Sequence, residues 1–324
     1  FGTLALAVFP HSETVSEDKC KSDSQDQLRE DQVESNYVTH EVRHRSQVSL
    51  LRGIQGGASV SRSCHVVRVF TRGDEGGNHL GVVTNTRGLT GVEMQDIASD
   101  LGFSETIFLD HGDPPPVRIF TPGREMPFAG HPLVGVTWLM RELGIPHSGR
   151  LSCGIGDVTV GYAAAAAWIE VSTERPVRPL TDPAAVAERL GVPEPIDSAW
   201  VDMPIPYLLL ELPSPDDVTN ARLDQAMMES LGIGELNLYS RVGDRAMKVR
   251  FFAPEAGVFE DPATGSAAVA LASMLASRGQ VHGKLEISQG DEIGHPSMIL
   301  LDWNPTTIRI GGTVRRVDER ILST

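Results

Sequence analysis

The hydrophobic pattern changes character near residue 64. Residues 11–50 are dense in Ser, Asp, Glu and Gln and sparse in aromatics, and "LRGIQGGASVSRS" (51–63) reads as a flexible joint. Residues 1–60 are therefore expected to form a variable extension, with a short helix near 24–35. Beyond it, "CHVVRVFT" (64–71) alternates and is β-branched, the mark of a strand. "DEGGNHLGVV" supplies a turn and a second strand. "TGVEMQDIASDLG" predicts a helix capped by Thr90, with an apolar side of Val92, Met94, Ile97 and Leu101, stopped at Gly102. "FSETIFL" and "PPPVRIFTP" return to strand. "HPLVGVTWLMRELG" predicts a helix with Pro132 in its first turn and Gly144 past its end.

Residues 173–200 read as a Pro-rich crossing with a short helix near 182–190. A strand near 201–212, a helix near 219–231, and strands near 235–241, 246–252, 284–289, 297–302 and 307–311 follow. The run "AAVALASML" (267–275) is apolar on every side, as a buried helix would be.

An internal similarity organises these elements. "RIFTPGREMPFAG" (118–130) resembles "RFFAPEAGVFEDP" (250–262): an Arg-aromatic strand ends at Pro, a turn follows, and a buried helix begins. Aligning Arg118 with Arg250 and Phe128 with Phe259 sets Asp261 opposite Gly130. Duplication is the reading, with domains over 61–180 and 181–324 and two equivalent helix N-termini at their meeting, a favoured place for a ligand. Many short strands with single buried helices imply curved sheets, an α/β (α+β) class without regular βαβ repeats.

Composition narrows the partners. A net charge of −15 and a pI near 5.1 speak against nucleic acid. No run approaches the length of a membrane span. The opening "FGTLALAVFP" lacks a basic leader and a cleavage signal, and it lacks an initiator Met, as a fragment or processed product would. Cys20, Cys64 and Cys153 form neither a disulfide framework nor a metal knuckle, so a reducing cytoplasm is the expected compartment. No glycine-rich phosphate cradle, H-E-x-x-H cluster or nucleophile elbow occurs, so no metal and no cofactor is expected.

What remains is a set of acids and one imidazole at element boundaries. Glu105 heads an apolar strand, either as a solvated strand end or as a cleft carboxylate whose pKa is raised by burial. His131 opens a helix, as a core or capping histidine or as an acid–base partner. Asp261 is either a helix cap or, if Thr264 or Ser266 caps instead, an acid released to the cleft. Gly265, Ser266 and Gly130 offer helix N-terminal amides to a carboxylate. Together they suit moving a proton beside a substrate carboxylate.

The segments "GGNHLGVV", "FSETIF", "RIFTPGREMPFAGHPLVG", "FFAPEAGVFEDPATGSAAVALASML" and "QGDEIGHPS" resemble the successive signatures of the PhzF-like phenazine-biosynthesis isomerase family over about 64–315. That family is similar in fold to diaminopimelate epimerase. The resemblance implies two similar domains, each a curved sheet wrapped around a central helix, with the site between them. It implies a cofactor-independent isomerase acting on a small molecule such as trans-2,3-dihydro-3-hydroxyanthranilate, and a homodimer. On the matching positions Glu105 is the acid–base, His131 and Asp261 are polar partners, and Gly130, Gly265 and Ser266 contact the substrate. The related racemases place cysteines where this chain has Gly130 and Asp261. His79 and His295 stand where the family commonly has Pro and Arg. An inactive binding protein of the same fold and a non-cysteine epimerase are the alternatives.

Overall fold

The computed structural model describes residues 61–323 except 174 and 257, all within one unit spanning 59–324. The expected helix at 24–35 and most of the joint lie outside the described residues, while 61–63 already belong to a strand.

A first run of elements holds β1 (Ser61–Thr71), β2 (Asn78–Thr84), α1 (Gly91–Leu101), β3 (Glu105–Leu109), β4 (Val117–Phe120), β5 (Glu125–Met126), α2 (Gly130–Glu142), β6 (Arg150–Cys153), β7 (Gly156–Ala163) and β8 (Ala166–Ser172). After β9 (Val177–Pro179) and α3 (Pro183–Leu190), a second run begins with β10 (Asp197–Val201), β11 (Tyr207–Glu211), α4 (Pro215–Asn220), α5 (Gln225–Ser230) and β12 (Glu235–Gly243). It continues through β13 (Ala246–Ala253), β14 (Val258–Asp261), α6 (Gly265–Ser277), β15 (Gly283–Gln289), β16 (Ser297–Trp303) and β17 (Thr307–Ser323).

The pairings of the two runs correspond. In the first, β1 is antiparallel to β2, β2 parallel to β3, β3 antiparallel to β4, and β4 to β5. In the second, β10 is antiparallel to β11, β11 parallel to β12, β12 antiparallel to β13, and β13 to β14. A parallel bridge joins Pro116 to Ser152, where the second run pairs β13 with β15 in parallel. The hairpins β6–β7–β8 and β15–β16–β17 complete each series. The last strands cross over: β9 pairs with β10, and the far end of β17 pairs with β1. β1 lies between β2 and β17 with both edges paired, and its side chains are covered on both faces, Val67, Val69 and Phe70 in the core with α2 and Cys64 in a cluster with Met94 and Ala98 of α1.

The buried helices sit against these sheets. α2 packs on β1, β2, β3, β7, β8 and β17; α6 packs on β9, β10, β11, β16 and β17. Their two buried hydroxyls are satisfied within the helix, Thr137 donating to the Leu133 carbonyl at 2.7 Å and Ser273 to that of Val269 at 2.9 Å. The apolar core therefore accepts them without an orphaned polar atom.

Several elements differ from the sequence expectations. In α1 the Thr90–Glu93 capping box and the Gly102 stop are present, but Val92 is 72% exposed and Ala98 joins Met94 in the core. The 94, 98, 101 spacing defines the buried face, and Val92 lies off it. The strand expected near 201–212 is confined to β11, because Pro204 and Pro206 cannot donate to a ladder, and β10 lies almost wholly in the expected crossing. The helix near 219–231 is likewise two, since Asp224 caps a fresh start by accepting from the Met227 amide at 2.9 Å. Strands β6, β7 and β8 had no expectation, and β17 runs twelve residues past the expected 311.

One residue pair recurs at the same register. Phe108 pairs with Arg118 and Thr106 with Phe120; Leu238 pairs with Arg250 and Leu236 with Phe252. Arg118 grips Glu125 through two 2.6 Å bonds and lies 5.1 Å from the Phe120 ring centre. Arg250 grips Glu260 through two 2.8 Å bonds and lies 4.9 Å from the Phe252 ring centre. Burial separates them: the side chains of Arg250 and Glu260 are 8% exposed, those of Arg118 and Glu125 41% and 44%. Arg250 also donates to the carbonyls of Val218, Thr219 and Ala221, closing the end of α4. Removing one member of the buried pair strands a charge, whereas the exposed pair is screened. Glu260→Gln is expected to lower the unfolding free energy by about 3–5 kcal/mol, and Glu125→Gln by about 1 kcal/mol or less. Urea denaturation of both variants measures this, and equal losses would contradict the burial argument.

Candidate active site

The N-termini of α2 and α6 meet at Gly130 and Gly265. A Cβ on Gly130 would stand 3.2 Å from the Gly265 Cα, and one on Gly265 would stand 3.3 Å from the Gly130 Cα. Both would also press on Ile310 Cδ1, at 2.9 and 3.0 Å. The seam thus favours glycine on each side, since a Cβ at either would have to displace Ile310 and crowd the facing backbone. It brings two positive helix ends and their free amides to one place, an arrangement that attracts anions.

This register corrects the internal alignment. Arg118, Phe120, Glu125, Met126 and Gly130 match Arg250, Phe252, Glu260, Asp261 and Gly265. Asp261 therefore stands at the place of Met126, not opposite Gly130, and Phe128 does not match Phe259. The stretch between Phe252 and Glu260 is three residues longer than that between Phe120 and Glu125, and it holds the 3₁₀ turn Pro254–Ala256. His131 matches Ser266.

Glu105, His131 and Asp261 come together at the seam. Glu105 heads β3 and its Oε2 lies 3.6 Å from His131 Nε2, beyond hydrogen-bond reach; that buried nitrogen has no hydrogen-bond partner. Burial pushes Glu105 up to about 7, opposed by a hydrogen bond from Ser104. Asp261 is pushed up to about 6 by burial and by the charge of Glu105, against the pull of His131, Thr264 and Asn78. Burial drives His131 down to about 4, opposed by Asp261 and by a bond with the His79 backbone. Near neutral pH the imidazole is therefore uncharged beside a carboxyl that readily gains or loses a proton.

Asp261 is neither a helix cap nor unattached. Thr264 occupies the N-cap of α6 without a capping side-chain bond, and its hydroxyl donates to Asp261 Oδ2 at 2.5 Å. Ser266 does not cap either; its hydroxyl bonds the Tyr207 phenol at 2.9 Å. Asn78 links the acids across the chain, accepting from Ser104 at 3.1 Å and donating to Asp261 Oδ1 at 2.9 Å. Gln289 adds a bond to the Asp261 carbonyl at 2.7 Å and another to Thr264 at 3.0 Å. His79 stacks on Phe103 at 6.3 Å and meets His295 edge-on at 6.0 Å, and burial lowers the pKa of both histidines. Among the described residues no group of three or more His, Cys, Asp or Glu is arranged to hold a metal, and no helix is long and apolar enough to cross a membrane.

Three residues of this neighbourhood escaped the sequence reading. Asn78 and Gln289 stand inside quoted signatures, "GGNHL" and "QGDEI", but nothing local marks an amide as a bridge. Glu235 heads β12 as Glu105 heads β3, and "GELNLY" against "SETIFL" was the available signal.

A mixed α/β scaffold with buried, proton-holding carboxyls at converging helix ends defines a class of protein able to move protons with its own side chains. The chain belongs to the phenazine biosynthesis-like protein family, whose pattern it matches over residues 67–319. It is 31% identical over 261 residues to an uncharacterized isomerase of Pasteurella multocida, covering 77% of this chain and 90% of the relative. It is 32% identical over 236 residues to the trans-2,3-dihydro-3-hydroxyanthranilate isomerase of Pseudomonas fluorescens, covering 69% and 84%. The structure of a phenazine biosynthesis protein of the PhzF family from Enterococcus faecalis superposes with a TM-score of 0.70 at 19% identity, covering 82% of this chain and all of that one. That last likeness establishes the fold.

The raised acid has a consequence for stability. Between its ordinary value of 4.5 and its folded value of about 7, the folded chain holds the Glu105 proton more tightly than the unfolded chain does. Stability from this group is thus complete below pH 4.5 and is lost as pH rises through about 7. Glu105→Gln is expected to raise the unfolding free energy at pH 8 by about 1–3 kcal/mol and to leave it unchanged at pH 4. Chemical denaturation at the two pH values tests this, and an equal gain at both would contradict it.

Proposed function

We propose that this chain is a cofactor-independent isomerase that moves a proton within a small, unsaturated, carboxylate-bearing metabolite derived from an amino acid. Membership of the family supports the reaction class. The observation that carries the site assignment is the convergence of Glu105, His131 and Asp261 at the Gly130–Gly265 seam. The reading includes two related domains, 61–180 and 181–324, with a diaminopimelate epimerase-like arrangement and the site where they meet. The repeated pairing order and the recurrent Arg-aromatic-Glu register support it. A homodimer in the cytoplasm belongs to the same reading.

In this mechanism the helix ends at Gly130, Gly265 and Ser266 hold the substrate carboxylate, whose conjugation acidifies an adjacent C–H. Glu105, ionised, takes that proton while the electron pair enters the conjugated system. The protonated Glu105 then delivers a proton to another carbon of the same molecule. His131 stays neutral and orients the Glu105 carboxyl. Asp261, fixed by Asn78 and Thr264, contacts an amino or hydroxyl group of the substrate. One positioned acid–base group contributes about 10²–10⁴-fold, suited to a substrate already activated by conjugation. Two-thiol racemisation is disfavoured, because both helix starts are glycines and neither carries a thiol.

Trans-2,3-dihydro-3-hydroxyanthranilate, the substrate in the name of the Pseudomonas fluorescens relative, is the first compound to test, followed by other cyclic unsaturated amino acids. Conversion in deuterated water, followed by NMR, is expected for the wild type. Glu105→Gln is expected to lose at least about 10²-fold in kcat while still binding the compound. Undiminished turnover by Glu105→Gln would remove it from the proton-transfer role. Binding of these acids without any conversion would instead favour an inactive binding protein.

A further inference from the structure

Glu235 occupies in the second run the position that Glu105 occupies in the first. The register fixes this independently of any alignment. In the first run Glu105 precedes Thr106, the partner of Phe120; in the second Glu235 precedes Leu236, the partner of Phe252. Each also opens the ladder to its parallel neighbour across the sheet, Glu105 paired with Leu80 and Glu235 with Tyr207. Alternation along the strands gives both the same orientation. Glu105 shares a face with Ile107 and Leu109, which pack in the core around α2; Glu235 shares one with Tyr239, whose hydroxyl reaches Met274 of α6 at 3.7 Å.

The surroundings of Glu235 place it beside the seam. Tyr207, its neighbour across the sheet, bonds Ser266 in the first turn of α6, one residue from Gly265. Glu235 is 4% exposed, and its Oε2 has no hydrogen-bond partner. Asn237, two residues along the same face, is 1% exposed with both amide atoms unpartnered. A buried carboxyl so poorly satisfied is costly unless it serves something. The groups that act on it are Asp261, Glu255, Glu105 and the cation Arg124, with Tyr207 adjoining; the Glu255 carboxylate also packs on Gly234. Burial and its three acidic neighbours push Glu235 up to about 8, so it is mostly protonated at neutral pH.

We propose that Glu235 is a second acid–base residue of this site, placed on the α6 side of the Gly130–Gly265 seam as Glu105 is on the α2 side. The inference deepens the isomerase reading and rests on it. In the two-carboxyl transfer, which replaces delivery of the proton by Glu105 itself, ionised Glu105 removes a proton from one substrate carbon and the electron pair enters the conjugated system. Protonated Glu235 then gives its O–H proton to a second carbon, closing the new C–H bond. The protein is left with Glu105 protonated and Glu235 ionised, and exchange with solvent restores both.

Two experiments test this, and they separate its failure from that of the isomerase reading. The first needs no substrate: glutamate carboxyl carbons are labelled and titrated by NMR. Wild type is expected to show Glu235 titrating above pH 7, a resonance lost in Glu235→Gln, with its midpoint falling in Glu105→Gln as a like charge is removed. A Glu235 midpoint indifferent to Glu105→Gln would overturn the shared site whatever the activity. The second uses trans-2,3-dihydro-3-hydroxyanthranilate in deuterated water. Wild-type product is expected to carry solvent deuterium at the receiving carbon from the first turnover. Glu235→Gln is expected to lose at least about 10-fold in kcat with KM within about twofold, and to lose the alkaline limb of its pH profile, while Glu235→Asp keeps that limb. Return of the substrate's own proton by wild type, or an unchanged rate and profile in Glu235→Gln beside an inactive Glu105→Gln, would overturn the proposal. Absence of wild-type conversion together with coupled titrations would count against the isomerase reading while supporting the paired carboxyls.

Discussion

Backbone contact between Gly130 and Gly265 is the constraint on which the site depends. Two buried helices point their N-termini at each other with no side chain between them. Helix ends of like polarity repel, and their leading amides lack intrahelical acceptors. Such a junction favours negative groups around it, and Glu105, Asp261 and Glu235 supply them. The same closeness excludes water, which makes carrying those charges expensive. Burial and anion attraction therefore act against each other, and the acids settle with pKa values between about 6 and about 8.

The comparison with Glu260 shows how much depends on pairing. The Glu260 side chain is less exposed than that of Glu105, yet Arg250 meets both its oxygens. It can be read as structural: it ties β13 to β14 and, through the carbonyls accepting from Arg250, to α4. Glu105 has a neutral imidazole at 3.6 Å, and no cation is among the causes of its shift. The fold thus meets some carboxylates with a bidentate cation and leaves others without one, close to changing protonation. Satisfaction of the charge, rather than depth alone, separates the two groups.

Much of this was legible in the sequence because local signals agreed. Thr90 and Gly102 marked a helix start and stop, the all-apolar "AAVALASML" marked a buried helix, and the repeated Arg-aromatic strand marked two related stretches. Glu105, His131 and Asp261 were each found at element boundaries. The pairing of Asp261 with Gly130 failed because the 3₁₀ turn before β14 adds three residues, and alignment by the nearest Phe absorbed the insertion in the wrong place. Strand register corrects this, since hydrogen-bonded partners cannot slip without turning every side chain to the other face. Asn78 was invisible for a different reason: its partners, Ser104 and Asp261, are remote in sequence, and a bridging amide has no periodic signature. The split of the expected helix at 219–231 was overlooked because Asp224 reads equally well as a surface acid and as a cap.

The matched positions also show where the two runs have diverged. Met126 stands against Asp261, His131 against Ser266, and Leu80 against Tyr207. Glu105 and Glu235 are alike, but their neighbours are not. Beside Glu105 stands an imidazole whose buried Nε2, 3.6 Å from the carboxyl, has no hydrogen-bond partner. Beside Glu235 stands a phenol whose pKa burial and nearby acids raise, so it stays protonated, and its hydroxyl is engaged with that of Ser266. Burial raises Glu105 against a single opposing neighbour, Ser104, whereas Glu235 is raised by burial and by the acids Asp261, Glu255 and Glu105 against Arg124. Corresponding strand heads thus carry the same side chain in different electrostatic surroundings.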